Sequence, residues 1–313
     1  MNILYFVVPC YNEQEVLSET VSRLTAKLNS LIESKKIDEQ SRIVFVDDGS
    51  KDATWEMITR FCENDHHIQG IKLSRNRGHQ NALLGGLMTV KEHCDFCISL
   101  DADLQDDIDA VDRFIEKYQG GCDIVYGVRS SRETDTSFKR TTALAFYKLM
   151  KGLGVDIVYN HADYRLMSKR ALYSLSEFGE VNLFLRGMVP LVGYKSDIVE
   201  YKRHERFAGQ SKYPLKKMLA FAFDGITSFS VRPIRMVLWL GVSIFFISLL
   251  VFAYALACFV LRITVPGWTT IVASIWALGG IQLLAFGIIG EYIGKIYKEV
   301  KKRPNYVIEQ YLK

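Results

Sequence analysis

Short apolar runs alternate with longer stretches of helical periodicity through the first part of the chain. Ile3–Val8, Ile43–Val46, Ile68–Leu73, the run starting at Phe96 and ending before Asp101, and Asp123–Tyr126 are predicted as strands. Between them the pattern predicts a helix running to about Ser34, one carrying Trp55, Ile58 and Phe61, and one over Gln80–Lys91. A further helix is expected over Thr141–Gly154. Strands alternating with helices of roughly ten residues or more imply parallel βαβ units, hence an α/β, Rossmann-like, doubly wound sheet.

The pattern changes beyond Pro214. Pro214–Ser230 reads as an amphipathic helix suited to a membrane interface, with lysines at its start and Leu219, Phe221, Phe223 and Ile226 further on. Met236–Leu261 and Thr264–Gly290 carry no charge, and about 20 such residues span a bilayer, so a two-span hairpin is expected. Arg232 and Arg235 precede the first run, and Lys295, Lys298, Lys301, Lys302 and Arg303 follow the second, whereas the short loop between them has only Arg262. Cation asymmetry then places the protein in the cell membrane as a two-span, multi-pass protein with both termini and the α/β domain cytoplasmic. The expected organisation is an α/β domain over 1–213, an interfacial segment over 214–235, two spans over 236–293 and a basic tail over 294–313.

The strand ends carry the candidate chemistry. Successive strands terminate in Pro9-Cys10-Tyr11-Asn12-Glu13, Asp47-Asp48-Gly49-Ser50, Ser74-Arg75-Asn76-Arg77-Gly78 and Asp101-Ala102-Asp103-Leu104-Gln105. A fold needs turns there but does not need acids and amides at every one, and ligands of open α/β sheets bind at the carboxyl ends of strands. Asp101 and Asp103 can hold a divalent metal through hard oxygen ligands, or they can cap the following helix; from spacing alone both readings stand. Asp47 or Asp48 can accept hydrogen bonds from a base or ribose. Further on, the stretch around Tyr164 and Leu166 buries those two residues and offers Asp163 and Arg165 to another face. The polar loop from Gly127, with Arg129 among its cations, and the run Lys202–Pro214 have the composition of anion-binding segments or of solvated and juxtamembrane ones.

Composition adds limits. The net charge of +4 over 313 residues is mild and uneven, acidic near Asp101–Asp112 and basic in Lys202–Lys217 and Lys295–Arg303, which suits phosphates or anionic lipid and carries no nucleic-acid-binding module. The six cysteines are scattered, and Cys94 and Cys97 lack a second pair to complete a metal site. They read as packing thiols in a reducing compartment.

Together, the Val-Pro-Cys-Tyr-Asn-Glu start, Asp-Asp-Gly-Ser-Lys-Asp, Leu-Ser-Arg-Asn-Arg-Gly, Asp-Ala-Asp-Leu-Gln-Asp, Asp-Tyr-Arg-Leu-Met and Arg-Phe-Ala-Gly-Gln-Ser-Lys-Tyr strings, with the C-terminal apolar runs, resemble the family 2 glycosyltransferases of GT-A fold. More narrowly the chain resembles the polyprenyl-phosphate glycosyltransferases. The resemblance implies an inverting, metal-dependent transferase moving a hexose, glucose or N-acetylglucosamine, from a UDP-sugar to undecaprenyl phosphate for cell-envelope glycans. It implies Pro9, Tyr11, Glu13, Asp48, Ser74, Asn76 and Asp101 around the nucleotide sugar, and Asp101, Asp103 and Gln105 on Mg²⁺ or Mn²⁺. Asp163 and Asp103 are the implied catalytic residues, and Arg129, Arg203, Arg206, Ser211 and Lys212 the implied contacts to the lipid phosphate. Membrane lipids and further copies of the chain are the other implied partners. After Asp106, where relatives often carry prolines, this chain has Asp107 and Ile108. The competing readings are transfer of mannose from GDP, transfer to a non-phosphate lipid, and a non-catalytic nucleotide-sugar-binding protein. A processive polysaccharide synthase is disfavoured, because no tryptophan follows an arginine as that subfamily's Gln-x-x-Arg-Trp string requires.

Overall fold

The computed structural model describes residues 1–130, 161–202, 232–260 and 267–313. Its first half alternates β1 (Leu4–Cys10), α1 (Leu17–Glu33), β2 (Arg42–Asp47), α2 (Thr54–Asn64), β3 (Ile68–Leu73), α3 (His79–Val90), β4 (Phe96–Ser99), α4 (Ala110–Gln119) and β5 (Ile124–Arg129). β6 (His161–Ser168), α5 (Lys169–Ser176), α6 (Leu185–Leu191), β7 (Ser196–Tyr201), α7 (Arg232–Val260), α8 (Trp268–Lys301) and β8 (Ile308–Leu312) follow. The strands form one sheet in the order β7-β5-β6-β4-β1-β2-β3-β8. β1 is parallel to β2 and β4, β2 to β3, and β5 to β7, so the α/β expectation holds and the sheet is mainly parallel. The strand order reverses between β1 and β4, the place where open α/β sheets leave a crevice for ligands.

Burial on both faces explains the uninterrupted apolar runs: every residue of β1 is buried, and separate clusters cover the two faces. Leu17, Leu24, Leu28 and Leu31 bring α1 onto one face; Ala82, Leu83, Leu87 and Val90 bring α3 onto the other. α3 lies close because Gly86 has no side chain. A Cβ there would stand 2.5 Å from Val7 Cγ1 and 2.7 Å from Val46 Cγ2.

β6 is antiparallel to β4, with Ser99 opposite Arg165. It therefore begins at the edge where β4 ends, which delivers its early residues to the crevice. Inside the segment read as a basic tail the sequence pattern gave no strand, yet β8 pairs antiparallel with β3 along the sheet's edge. Its exposed Glu309 and Gln310 hide it from an apolar-run search.

Among the described residues no helix is long and apolar enough to cross a membrane. This overturns the two-span reading, and with it the multi-pass placement in a cell membrane with both termini cytoplasmic. The end of α8 instead carries Glu291, Lys295, Lys298, Glu299 and Lys301, charges that hydrocarbon disfavours. That end docks on the α/β domain: Glu299 accepts hydrogen bonds from the Val181 and Asn182 amides at 2.9 and 2.7 Å. The expected helix over Thr141–Gly154 and the interfacial helix over Pro214–Ser230 lie outside the described residues.

Gly86→Ala tests the close packing of α3. Relieving the clash requires strand or helix movement, so a loss of about 1–3 kcal/mol is expected in urea unfolding; unchanged stability would show that the helix rides freely on the sheet.

Candidate active site

The turns after β1, β2, β3 and β4 meet at one edge and lock each other. Asn12, at φ 52°, takes the left-handed conformation at the end of β1. Its amide donates to Ser50 Oγ at 3.0 Å, and its side-chain oxygen accepts from the Lys51 amide at 2.8 Å. The Glu13 amide donates to Thr54 Oγ1 at 2.9 Å. Gly49, at φ 66°, passes so close to the turn after β3 that a Cβ would lie 2.6 Å from the Asn76 nitrogen. Asp48 ties these turns together. Its Oδ1 accepts from the Arg77 amide at 2.7 Å and its Oδ2 from the Gly78 amide at 2.8 Å, which fixes the start of α3. Both oxygens are thus engaged with backbone. Pro9 is buried in register with Val46, while Tyr11 and Glu13 are partly exposed and Ser74 and Asn76 fully so at the rim. The Ser74 amide donates to the Val307 carbonyl at 2.9 Å, so the chain's last segment braces this rim.

Asp163 lies at the centre. Ser99 Oγ donates to its carbonyl oxygen at 2.6 Å, holding the start of β6 to the end of β4. Its side chain, only 10% exposed, accepts from Arg165 Nη2 at 2.5 Å and from Arg186 Nη2 and Nε at 3.1 and 3.3 Å. His79, the first residue of α3, places Nε2 at 3.6 Å from Asp163 Oδ2 and 3.4 Å from Asp101 Oδ1. Burial opposes charge on Asp163, but Arg186, His79 and Arg165 outweigh it and hold the carboxyl well below the usual carboxylate range. Burial likewise works against an imidazolium at His79, yet Asp163 and Asp101 raise its pKa to about 9.

Asp101 is the reverse case. Its Oδ1 is buried and, among the described residues, accepts no hydrogen bond. Burial pushes its pKa up, His79 pulls it back, and Asp163 and Asp103 raise it again. Asp103 Oδ1 accepts from the Gln105 amide at 3.2 Å. Among the described residues no group of three His, Cys, Asp or Glu side chains is placed to hold a metal ion. Two carboxylates suffice for an ion of the magnesium type, which takes one or two carboxylates and completes its shell with water and substrate phosphate. A buried carboxylate oxygen that accepts no hydrogen bond, with a second carboxylate two residues on, fits such an ion.

Asp106 adjoins this pair. It accepts from the Tyr201 hydroxyl at 2.5 Å and lies 3.6 Å from Arg129 Nη2; burial, then the charge of Asp101, pushes its pKa up to about 6. Arg129, read from the sequence as a phosphate contact, thus also faces Asp106 and Tyr201. Arg203, Arg206, Ser211 and Lys212 lie outside the described residues. Sequence reasoning missed His79 and Arg186. The signal for Arg186 was a lone cation inside the apolar stretch Phe184–Val189, since a charge there needs a partner.

The strand-edge crevice, with acids after β4 and a buried carboxylate opposite them, lies where open α/β sheets bind their ligands. Residues 5–176 match the model of "Glycosyl transferase family 2". The chain belongs to that family. It is 56% identical over 307 residues to the glycosyltransferase YkoT of Bacillus subtilis (strain 168), covering 98% of this chain and 91% of that one. It is 39% identical over 308 residues to the bactoprenol glucosyl transferase of Shigella phage SfII, covering 97% and 96%. Among solved structures, glucosyl-3-phosphoglycerate synthase from Mycobacterium tuberculosis, in complex with Mn²⁺, UDP and glucosyl-3-phosphoglycerate, gives a TM-score of 0.45 at 17% identity, covering 72% of this chain and 78% of that one.

The Asp163 network yields a pH-dependent prediction. A depressed carboxyl stabilises the fold at pH values above its unfolded pKa of about 4, and that contribution fades as pH falls towards the folded value. Asp163→Asn strands two arginines, so it is expected to cost about 3 kcal/mol in urea unfolding at pH 7. The gap between variant and parent should narrow below about pH 4. A gap independent of pH would mean that ionisation of Asp163 is not what the arginines stabilise.

Proposed function

We propose that the chain transfers a hexose from a nucleoside-diphosphate sugar to a polyprenyl phosphate, with UDP-glucose or UDP-N-acetylglucosamine as donor. The observation that carries this reading is the pairing, at one strand edge, of Asp101, whose buried Oδ1 accepts no hydrogen bond among the described residues, with a fully bonded Asp163. Family membership and the full-length similarity to bactoprenol glucosyl transferases support it.

In this reading a phosphate oxygen of the acceptor attacks the anomeric carbon as the bond to the nucleoside diphosphate breaks, giving a sugar phosphodiester with inversion and a free nucleoside diphosphate. Pro9, Tyr11, Glu13 and Asn76 line the nucleotide side, with Ser74 at the rim, while Asp48 acts by fixing the Arg77–Gly78 backbone that begins α3. Asp101 and Asp103, with Gln105 beside them, would hold Mg²⁺ or Mn²⁺, which when bound neutralises charge on the leaving diphosphate as a Lewis acid. The acceptor needs no general base, because the second pKa of a phosphate monoester is about 6 and the group is already largely dianionic at neutral pH. Asp163, held ionised by its cations, orients Arg186 and His79. Arg186, with a third of its side chain exposed, can meet an anionic substrate. Preorganised charges of this kind stabilise a transition state without reorganising.

The deciding assay incubates the full chain with labelled nucleotide sugars, undecaprenyl phosphate and Mg²⁺ or Mn²⁺, then follows label into the lipid fraction. UDP-linked glucose or N-acetylglucosamine should transfer, GDP-mannose should not, and a lipid alcohol lacking the phosphate should accept nothing. Asp103→Asn is expected to reduce transfer by roughly a hundredfold or more with thermal stability unchanged; full activity in that variant would remove Asp103 from the reaction.

A further inference from the structure

The end of α8 lies far along the chain from the acids of the crevice, yet it is wired to them. Glu299 accepts from the Val181 amide at 2.9 Å, and from the Asn182 amide and Asn182 Nδ2 at 2.7 Å each. Asn182 Nδ2 also reaches the Lys295 carbonyl at 3.3 Å, and Asn305 Nδ2 donates to the Glu180 carbonyl at 3.0 Å. The turn so gripped continues directly into Phe184, Leu185 and α6. The Leu185 amide donates to Gln80 Oε1 at 2.9 Å, beside His79, and the next residue is Arg186, which holds Asp163 through two nitrogens. Between Glu299 and Arg186 there are thus only a few residues of turn, held at both ends.

A turn with this sequence has little reason to sit still by itself. Glu180–Leu183 lies outside the regular elements, and its amides at 181 and 182 would otherwise face solvent or go unpaired. A carboxylate that collects both amides and a side-chain amide replaces that missing regularity with charge-assisted bonds. Tyr306 packs on α3 beside this point, where a Cβ on Gly85 would lie 3.2 Å from its ring. The helix that begins with His79 is thus contacted at its middle by Tyr306, and the turn that leads into α6 and Arg186 is held by Glu299 and Asn305.

We propose that Glu299 is a positioning residue for the transfer reaction: by fixing the 181–185 turn it sets Arg186 against Asp163. The inference rests on the transfer reading of the Asp163 site. Glu299 touches neither substrate nor reacting atom; it acts through the turn. Misplacing a substrate-facing group by about an ångström can cost a hundredfold in rate, so a loosened turn reaches the chemistry without unfolding the domain.

The test uses the full chain carrying Glu299→Ala, Glu299→Gln and Arg186→Lys, singly and combined. Glu299→Ala should lower kcat roughly tenfold to a hundredfold with the nucleotide-sugar KM unchanged. Glu299→Gln, which keeps one acceptor oxygen, should recover part of that loss. In the Arg186→Lys background Glu299→Ala should cost little more, because residues acting through one contact are not additive. Additive losses, or a rise in donor KM with kcat intact, would overturn the proposal. Hydrogen exchange supplies a readout free of activity: amide protection over 184–188 should fall in Glu299→Ala while β1–β4 stay protected, and unchanged protection there also overturns it. Should the parent chain transfer no sugar, the proposed function fails, and the exchange result alone decides whether Glu299 sets the turn.

Discussion

A buried carboxylate with more donors than it can release governs this structure. Asp163 would be costly as an isolated anion beneath the surface, and Arg165, at 1% exposure, would be costlier still as an isolated cation. Each is tolerable because of the other. Arg165 Nε finds no partner at all, so the guanidinium is held there chiefly by Asp163 and, through Nη1, by the Leu185 carbonyl at 3.5 Å. A site built this way keeps its charges in place before substrate arrives, which is the condition under which fixed charges are most effective.

The same constraint explains why the strand-edge turns are so tightly laced. Asp163 can meet His79 only if α3 begins at the right height, and Asp48 sets that height by taking the Arg77 and Gly78 amides. It can meet Asp101 only if β6 starts beside the end of β4, and the Ser99 hydroxyl secures that crossing. Close packing of Gly49 on the following turn and of Gly86 on β1 and β2 removes the slack between them. Acids and amides at four strand ends thus do two jobs: some face the crevice, and others hold the ones that do.

That division marks how much the sequence could disclose. The parallel βαβ order was legible because fully buried strands leave uninterrupted apolar runs, and the acids at 48, 101 and 103 stood out because turns do not require them, whereas Asp163 was read from the alternation of its stretch and from the family resemblance. The bonds of Asp48 to backbone were not legible, since an acid after a second strand looks the same whether it faces a ribose or an amide. His79 and Arg186 escaped because their meaning comes from a contact between distant segments, α3 and α6, that no local spacing encodes. β8 escaped because an edge strand with Glu309 and Gln310 has no buried face to betray it. The uncharged runs after Arg235 misled for a related reason. The charges after the second run are visible in the sequence, but hydropathy counts residues along a line and cannot see that this charged end docks on the α/β domain.

The two acids that flank His79 differ in a way that bears on the chemistry. Asp163 has both carboxylate oxygens bonded to arginine and a carboxyl held well below the usual carboxylate range by Arg186, His79 and Arg165. Asp101, which faces the same imidazole nitrogen, has a buried oxygen that accepts no hydrogen bond among the described residues and a pKa pushed upward by burial. Environments that drive neighbouring carboxyls apart assign them different work. The satisfied acid suits orientation of its cations, and the unsatisfied one suits ligation of a hard cation. Exchanging those roles would require Asp163 to shed two arginines and Asp101 Oδ1 to gain hydrogen bonds that the described residues do not give it.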